Sequence, residues 1–107
     1  MAEAQRYNLT YAPEVKEHLK AMDKLHHAQI RGAIEERLVF EPDRETRNRK
    51  PLGGSALWED AWELRLGRQN RFRVFYQIDQ ETAEVRILAI GFKDGNELII
   101  GKERVKL

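Results

Sequence analysis

Four arginines stand close together in the second half of the chain, and they carry the most visible chemistry of the sequence. Residues 65–75 contain Arg65, Arg68, Arg71 and Arg73 and no acidic residue. A guanidinium stays protonated at physiological pH, so it cannot act as a base. Its planar N–H donors instead bind phosphate in bidentate fashion and stabilise developing negative charge. The pattern therefore predicts an anion site, suited to a polyanion such as a phosphodiester.

Two further side chains near this stretch can transfer protons or add charge. Glu63, two residues before Arg65, is a candidate general base, and Lys93 is a candidate acid or second cationic clamp. Each also has a simpler interpretation. Glu63 can be the salt-bridge partner of Arg65 or Arg73, and Lys93, which precedes Asp94-Gly95-Asn96, can be an ordinary turn lysine.

A second basic run precedes the arginines. Arg47, Arg49 and Lys50 fall in a stretch that is rich in proline and glycine. Such a run is usually a solvated loop, but here it lies close enough in sequence to extend the positive field along a polyanion. Together with Arg68 and Arg71, these residues are the candidate contacts to a nucleic-acid backbone.

The sequence contains no metal or cofactor signature. It has no cysteine, which excludes a disulfide framework, a thiolate metal site and a cysteine nucleophile. His18, His26 and His27 lack the HxxxH and HExxH spacings of zinc sites, and Gly53-Gly54 does not belong to a GxxxxGK[ST] phosphate loop. We therefore expect neither a metal nor a cofactor.

The first half of the chain is predicted to form one strand and two helices. Residues Tyr7 to Tyr11 alternate like a short strand, Pro13 opens a helix, and Asp23 is the expected N-cap of a second helix. Apolar residues recur at helical spacing in both helices: Val15, Leu19 and Met22 in the first, and Ile30, Ile34 and Leu38 in the second. The two helices are expected to pack as an antiparallel hairpin.

After a connection over residues 41–55, the apolar period changes to two, which predicts a meander of three antiparallel strands. Residues 98–100 can add a short fourth strand, and residues 102–107 are expected to fray. The predicted core-facing residues of the meander are Trp62, Leu64 and Leu66, then Phe72, Val74 and Tyr76, then Val85, Ile87 and Ala89.

The predicted first hairpin of the meander brings two arginines together. A turn over Gly67–Arg71 places Leu66 opposite Phe72, and Arg65 then lies directly across from Arg73 on the outer face. Like charges in directly opposed positions destabilise a sheet. Either a neighbouring carboxylate neutralises the pair, or the pair is built to hold a polyanion, and the sequence leaves both interpretations open.

Length and composition bound the architecture. The chain has 107 residues and a formal net charge of +1, and we expect one domain over residues 1–107. The predicted class is α+β, with an N-terminal strand, an antiparallel helical hairpin and a three- to four-stranded antiparallel sheet. No apolar run approaches the roughly 20 residues that span a bilayer, and Met1–Gln5 lack an apolar signal segment. We therefore expect a cytoplasmic protein without membrane contact.

Several segments taken in order resemble the RelE/ParE superfamily of bacterial type II toxin–antitoxin toxins. The resemblance covers nearly the whole chain, because the predicted order of strand, helices and meander also matches that fold. It rests on the sequences TRNRKPL at residues 46–52, WELRL at 62–66, RFRVFY at 71–76 and IGFKDGNEL at 90–98.

The resemblance implies a toxin that cleaves messenger RNA on the ribosome. RelE-type toxins drive the RNA 2′-hydroxyl onto the adjacent phosphate without a metal. By motif position, basic residues of the family match Arg65, Arg73 and Lys93, which the resemblance makes catalytic. Glu63 stands where the family has a lysine, and the family's C-terminal tyrosine falls near Ile99.

These departures retain the electrostatic part of the mechanism and leave three alternatives. Glu63 supplies the base and the chain is a metal-independent endoribonuclease, or the chain inhibits DNA gyrase as ParE does, or it is a degenerate member that only binds its antitoxin. A cognate antitoxin is implied as partner in every case, together with the ribosome and messenger RNA, or with gyrase.

Overall fold

A computed structural model describes residues 5–107, which form two helices and seven strands. Most of the N-terminal segment that was expected to lack a signal sequence, residues 1–4, lies outside the described residues. The helices are α1 (Glu14–Lys20) and α2 (His27–Leu38), and the strands are β1 (Asn8–Tyr11), β2 (Arg49–Pro51), β3 (Trp62–Leu66), β4 (Phe72–Asp79), β5 (Glu84–Asp94), β6 (Glu97–Ile100) and β7 (Glu103–Val105).

The strands form one sheet in the order β2-β3-β4-β5-β6-β7, with antiparallel neighbours. The first strand, β1, pairs in parallel with the N-terminal half of β5, and β6 pairs with the C-terminal end of β5. The α+β class with two successive helices and an antiparallel meander is confirmed. The sheet is larger than predicted, because β2 and β7 lie in segments that were expected to be a connection and a frayed end.

The main core lies between the helices and one face of the sheet. Ile30, Ile34 and Leu38 of α2 are completely buried, as their four-residue spacing predicts. Val15 and Leu19 of α1 and the inward residues of β3 and β4 join the same cluster. Asp23 caps a 3-10 turn over Lys24–His26 that precedes α2, rather than α2 itself, by accepting from the Leu25 N–H at 3.0 Å.

A second, smaller core covers part of the opposite face of the sheet. Phe75, Ala89, Leu98 and Ile100 form this cluster, and the ring of Trp58 stacks on that of Phe75 at 5.2 Å. The segment between β2 and β3 supplies Trp58 and Leu52, and β7 supplies Val105. The outer face is therefore only partly open to solvent, and the open part is where the arginines lie.

One core prediction is wrong because of a β-bulge. Phe75 of β4 pairs with Ala89, but the next residue, Tyr76, pairs with Ile87, so one extra residue is inserted in β5. The extra residue reverses the alternation beyond it. Ala89 therefore faces the second core with Phe75, and Ile90, which was expected to face outward, lies in the main core.

The edge of β5 has a gap between its two neighbours, and a histidine fills it. Residues 84–87 of β5 pair with β1 and residues 91–94 pair with β6. Within the gap, the Ile90 N–H donates to Nδ1 of His18 on α1 at 3.3 Å. Burial lowers the pKa of His18, and Glu14 opposes this shift. The hydrogen bond ties α1 to the sheet.

Candidate anion-binding site

The hairpin of β3 and β4 has the register that the sequence predicts. Leu66 pairs with Phe72, and Arg65 pairs with Arg73. The turn between them requires a glycine, since Gly67 has φ +83° and a Cβ there would lie 2.7 Å from Cδ2 of Phe72. Turn and register together place two guanidinium groups side by side on the outer face.

A single carboxylate lies between the two arginines. Nε of Arg65 donates to Oε1 of Glu63 at 2.7 Å, and a terminal nitrogen of Arg73 donates to Oε2 at 3.4 Å. The side chain of Glu63 is only 4% exposed. The neutralising interpretation of Glu63 therefore describes its contacts in this structure, while its role as a base stays a prediction.

The two arginines differ in exposure and in their remaining donors. The Arg73 side chain is 13% exposed, against 32% for Arg65. Nε of Arg73 donates to the backbone oxygen of Asn70 at 3.0 Å. Burial lowers the pKa of Arg73, while the charge of Glu63 raises it. Arg73 is thus the anchored member of the pair, and Arg65 is the member that faces solvent.

The arginine pair forms one wall of a cleft of about 540 Å³, which we call the cation cleft. Lys93 of β5 lines it, with Nζ donating to the Asn96 backbone oxygen at 3.1 Å. The charged side chains that line the cation cleft are Lys50, Glu63, Arg65, Arg73, Lys93 and Lys106. Five cations and one carboxylate give the cleft a positive balance, which favours a ligand with several negative charges.

Lys106 is the site residue that the sequence prediction missed. It follows β7, and β7 pairs with β6 so that Val105 lies opposite Leu98. Both apolar residues line the cation cleft beside Lys106. The alternation of residues 103–105 offered only a weak strand signal, because three residues carry too little pattern to separate a strand from a frayed end.

The other predicted nucleic-acid contacts are divided by the structure. Lys50 of β2 lies opposite Glu63 of β3 in the strand register and lines the cation cleft. Arg49, one residue earlier, lies on the opposite face, where it donates to the Glu41 backbone oxygen at 2.7 Å. Arg47 is exposed in the loop before β2. The structure thus brings one residue of the basic run to the arginine pair.

The two remaining arginines lie at the turn between β3 and β4, outside the lining of the cation cleft. Arg68 is exposed in the 3-10 turn Arg68–Asn70. The guanidinium of Arg71 stands 5.8 Å from the centroid of the Phe72 ring and 5.9 Å from that of Phe92. These contacts are within cation–π range and hold Arg71 at the end of the sheet.

Ile99, matched by sequence to a family tyrosine, belongs to a different face. It pairs with Phe92 and Arg104, whereas its neighbour Leu98 pairs with Lys93 and lines the cation cleft. A tyrosine at position 99 would therefore lie on the face of the sheet opposite the cation cleft, away from the arginine pair. The apolar wall of the cleft near Lys93 is made by Leu98 and Val105.

The histidines lie apart from the cation cleft. His26 contacts the Phe72 ring at 4.8 Å between centroids, and Nε2 of His27 lies 3.2 Å from the Met22 backbone oxygen. Within residues 5–107, no group of three or more histidine and acidic side chains is arranged to hold a metal ion. In the same residues, neither helix is long and apolar enough to cross a membrane.

A protein-family comparison matches most of the chain. The family model described as the ParE toxin of the type II toxin–antitoxin system parDE matches residues 9–94. The match includes the arginine pair, Glu63 and Lys93, and it ends before β6. No curated protein sequence is significantly similar to the chain.

Three solved structures show the same fold at low sequence identity. The RelBE2 toxin–antitoxin complex from Mycobacterium tuberculosis superposes with a TM-score of 0.69 and 22% identity, over 87% of this chain and 98% of that one. The isolated Escherichia coli RelE toxin has a TM-score of 0.63 and 22% identity, over 85% of this chain and 88% of that one. The archaeal RelE–RelB complex from Pyrococcus horikoshii has a TM-score of 0.60 and 24% identity, over 79% of this chain and 92% of that one.

Proposed function

We propose that this chain, which belongs to the ParE toxin family of type II toxin–antitoxin systems, is a toxin that binds and cleaves messenger RNA on the ribosome. The observation that carries this proposal is the cation cleft, where five basic side chains converge around one carboxylate. A phosphodiester backbone is the polyanion that such a surface fits best. A cognate antitoxin is the proposed partner in the bacterial cytoplasm, where it would hold the toxin inactive, because RelBE-type structures of the same fold are complexes of a toxin with its antitoxin.

The reaction we propose is an attack of a ribose 2′-hydroxyl on the adjacent phosphorus. The O2′–P bond forms and the P–O5′ bond breaks, which leaves a 2′,3′-cyclic phosphate and a free 5′-hydroxyl. Arg65 and Arg73 stabilise the additional negative charge on the phosphate oxygens in the transition state. No residue in this step has to change its oxidation state or supply an electron.

Two proton transfers complete the step. Glu63 is the only carboxylate side chain that lines the cleft in the described part of the chain, and it is the proposed acceptor of the 2′-hydroxyl proton. Lys93 uses one donor on Asn96, and its other protons are available for the leaving 5′-oxygen. The ammonium also adds charge stabilisation at that oxygen.

The experiment is to induce the protein in a bacterium without its antitoxin and to sequence messenger 5′ ends. Cuts phased with the codons, lost in Arg65→Ala and Arg73→Ala, are the expected result. Arg104→Ala is the matched control, because Arg104 also pairs with a glutamate but is 77% exposed and lies outside the cleft. Growth arrest with intact messengers would contradict RNA cleavage.

Gyrase inhibition is the second candidate, and the contacts of Glu63 favour it in addition to the match with the ParE family model. Both oxygens of Glu63 accept guanidinium hydrogen bonds, so the candidate base is engaged in the free protein. A ParE-like toxin that inhibits without cutting needs no base. In the same cultures it would trap gyrase–DNA cleavage complexes and induce a DNA-damage response, and messengers would stay intact. A degenerate member that only binds its antitoxin would cause no growth effect.

A further inference from the structure

The carboxylate of Glu63 holds the position that a ligand phosphate would have to take. Its two oxygens accept from Arg65 at 2.7 Å and from Arg73 at 3.4 Å, which is the way two guanidinium groups hold a phosphate. Nε of Arg73 donates to the Asn70 backbone oxygen. An anion that belongs to the chain therefore already engages both guanidinium groups.

We propose that Glu63 is an internal competitor of the RNA phosphate, and that phosphate binding displaces it from Arg65. This inference rests on the proposed function, since it assigns a regulatory role at the same site. The exchange takes place on Arg65 because that side chain is the more exposed of the two, at 32% against 13% for Arg73. Arg73 stays anchored through Asn70.

The displacement has a consequence for proton transfer. Both oxygens of Glu63 accept guanidinium hydrogen bonds in the free protein, whereas a general base needs an oxygen within hydrogen-bond reach of the 2′-hydroxyl. Once the phosphate has taken the Arg65 donor, Oε1 of Glu63 is released and can accept from the 2′-hydroxyl. Glu63 thus lowers affinity and supports the chemical step at the same time.

The test measures affinity and cleavage separately in the Glu63→Gln variant of the full chain. The affinity probe is a fluorescein-labelled, single-stranded 2′-O-methyl oligoribonucleotide, which keeps the phosphates but lacks the attacking hydroxyl. The variant should bind about tenfold more tightly, which corresponds to one additional charge-assisted hydrogen bond to the probe. The slope of log Kd against log salt concentration should become steeper by about 0.7 for each additional phosphate that the variant neutralises. Its cleavage of messenger RNA should fall.

Glu97→Gln is the matched control. Glu97 accepts from Nε of Arg104 at 2.7 Å, the same contact and the same charge change as at Glu63, but both partners are at least 49% exposed. Its affinity for the probe should change less than twofold. An equal increase in affinity in both variants would overturn the inference, because it would show a general effect of net charge.

The remaining outcomes separate the inference from the proposed function. If the wild type binds the probe and Glu63→Gln binds it equally or more weakly, the competitor role is wrong and the RNA-binding function stands. If neither protein binds the probe, both are wrong. Tighter binding by Glu63→Gln with unchanged cleavage would support competition and overturn the role as base.

A measurement on the unaltered chain covers the case in which Glu63→Gln does not fold. The Nε–Hε signals of Arg65 and Arg104 can be followed by NMR while the 2′-O-methyl oligoribonucleotide is added. The Arg65 signal should shift as its acceptor changes from carboxylate to phosphate, and the Arg104 signal should not. Binding of the probe without a change at Arg65 would overturn the displacement.

Discussion

Arg65 lies directly opposite Arg73 on the neighbouring strand, and both guanidinium groups donate to the same buried carboxylate, Glu63. Two like charges in directly opposed positions would repel. The carboxylate between them turns the repulsion into a network of three charges with a net charge of +1. Stability and anion binding therefore depend on the same residue.

Glu63→Ala should lower the free energy of unfolding by about 3 kcal/mol, because it removes the buried carboxylate and leaves the half-buried Arg73 charge unpaired beside a second arginine. The Arg65 side chain is one-third exposed, so water compensates part of the interaction that Arg65 loses with Glu63. The comparison is Glu97→Ala, which removes an exposed pair and should cost less than about 1 kcal/mol. Urea unfolding measures both variants. Equal losses would contradict the role of Glu63 as the neutralising group.

Lys93→Ala should slow cleavage of messenger RNA by about 100-fold while the protein stays folded, because one cationic stabiliser of the leaving oxygen is lost. Lys102→Ala is the control, since Lys102 is exposed in the turn between β6 and β7 and does not line the cation cleft. The assay is single-turnover cleavage on programmed ribosomes. Similar rates for wild type and Lys93→Ala would remove Lys93 from the mechanism.

Gly67→Ala should destabilise the fold by about 1–3 kcal/mol, because alanine is strained at positive φ. Its Cβ would also lie 2.7 Å from the Phe72 ring. Gly32→Ala in α2 is the matched change, since a Cβ there meets no atom within 4 Å. It should stabilise the protein by about 0.5–1 kcal/mol through helix propensity. Thermal unfolding of the two variants should shift in opposite directions.

Stability should fall as the pH drops below about 6.5, the ordinary pKa of histidine. Burial lowers the pKa of His18 in the folded state, so the unfolded chain binds its proton first. The stabilisation that neutral His18 contributes is complete above pH 6.5 and is lost as the pH falls toward the lowered pKa of His18 in the folded state. His18→Asn keeps an acceptor for the Ile90 N–H without titrating. Its urea midpoint should therefore decrease less than that of the wild type between pH 7.5 and 5.5.

Local patterns were sufficient for the arginine hairpin. The alternation of Trp62, Leu64 and Leu66 identifies the inward face of β3, and a short turn forces antiparallel pairing with β4. These two constraints determine that Arg65 lies opposite Arg73. The spacing of the apolar residues in α2 was equally informative, because a helix with one buried face repeats its core residues every three to four positions.

Non-local pairing decided the residues that the sequence placed wrongly or missed. Ala89 and Ile90 exchange faces because β5 carries an extra residue relative to β4, and a bulge leaves no reliable mark in a short apolar run. Lys106 reaches the cation cleft only because β7 pairs with β6.

The sequence by itself determined the class of the fold, the register of the arginine hairpin and the chemistry of a cationic site, because these follow from residue type and local periodicity. Only the tertiary structure decided which cations converge on the site. Lys50 and Arg49 are adjacent in the chain, yet the pairing of β2 with β3 sends them to opposite faces. The same packing buried Glu63 between two guanidinium groups, because a carboxylate can leave water only where its charge is matched.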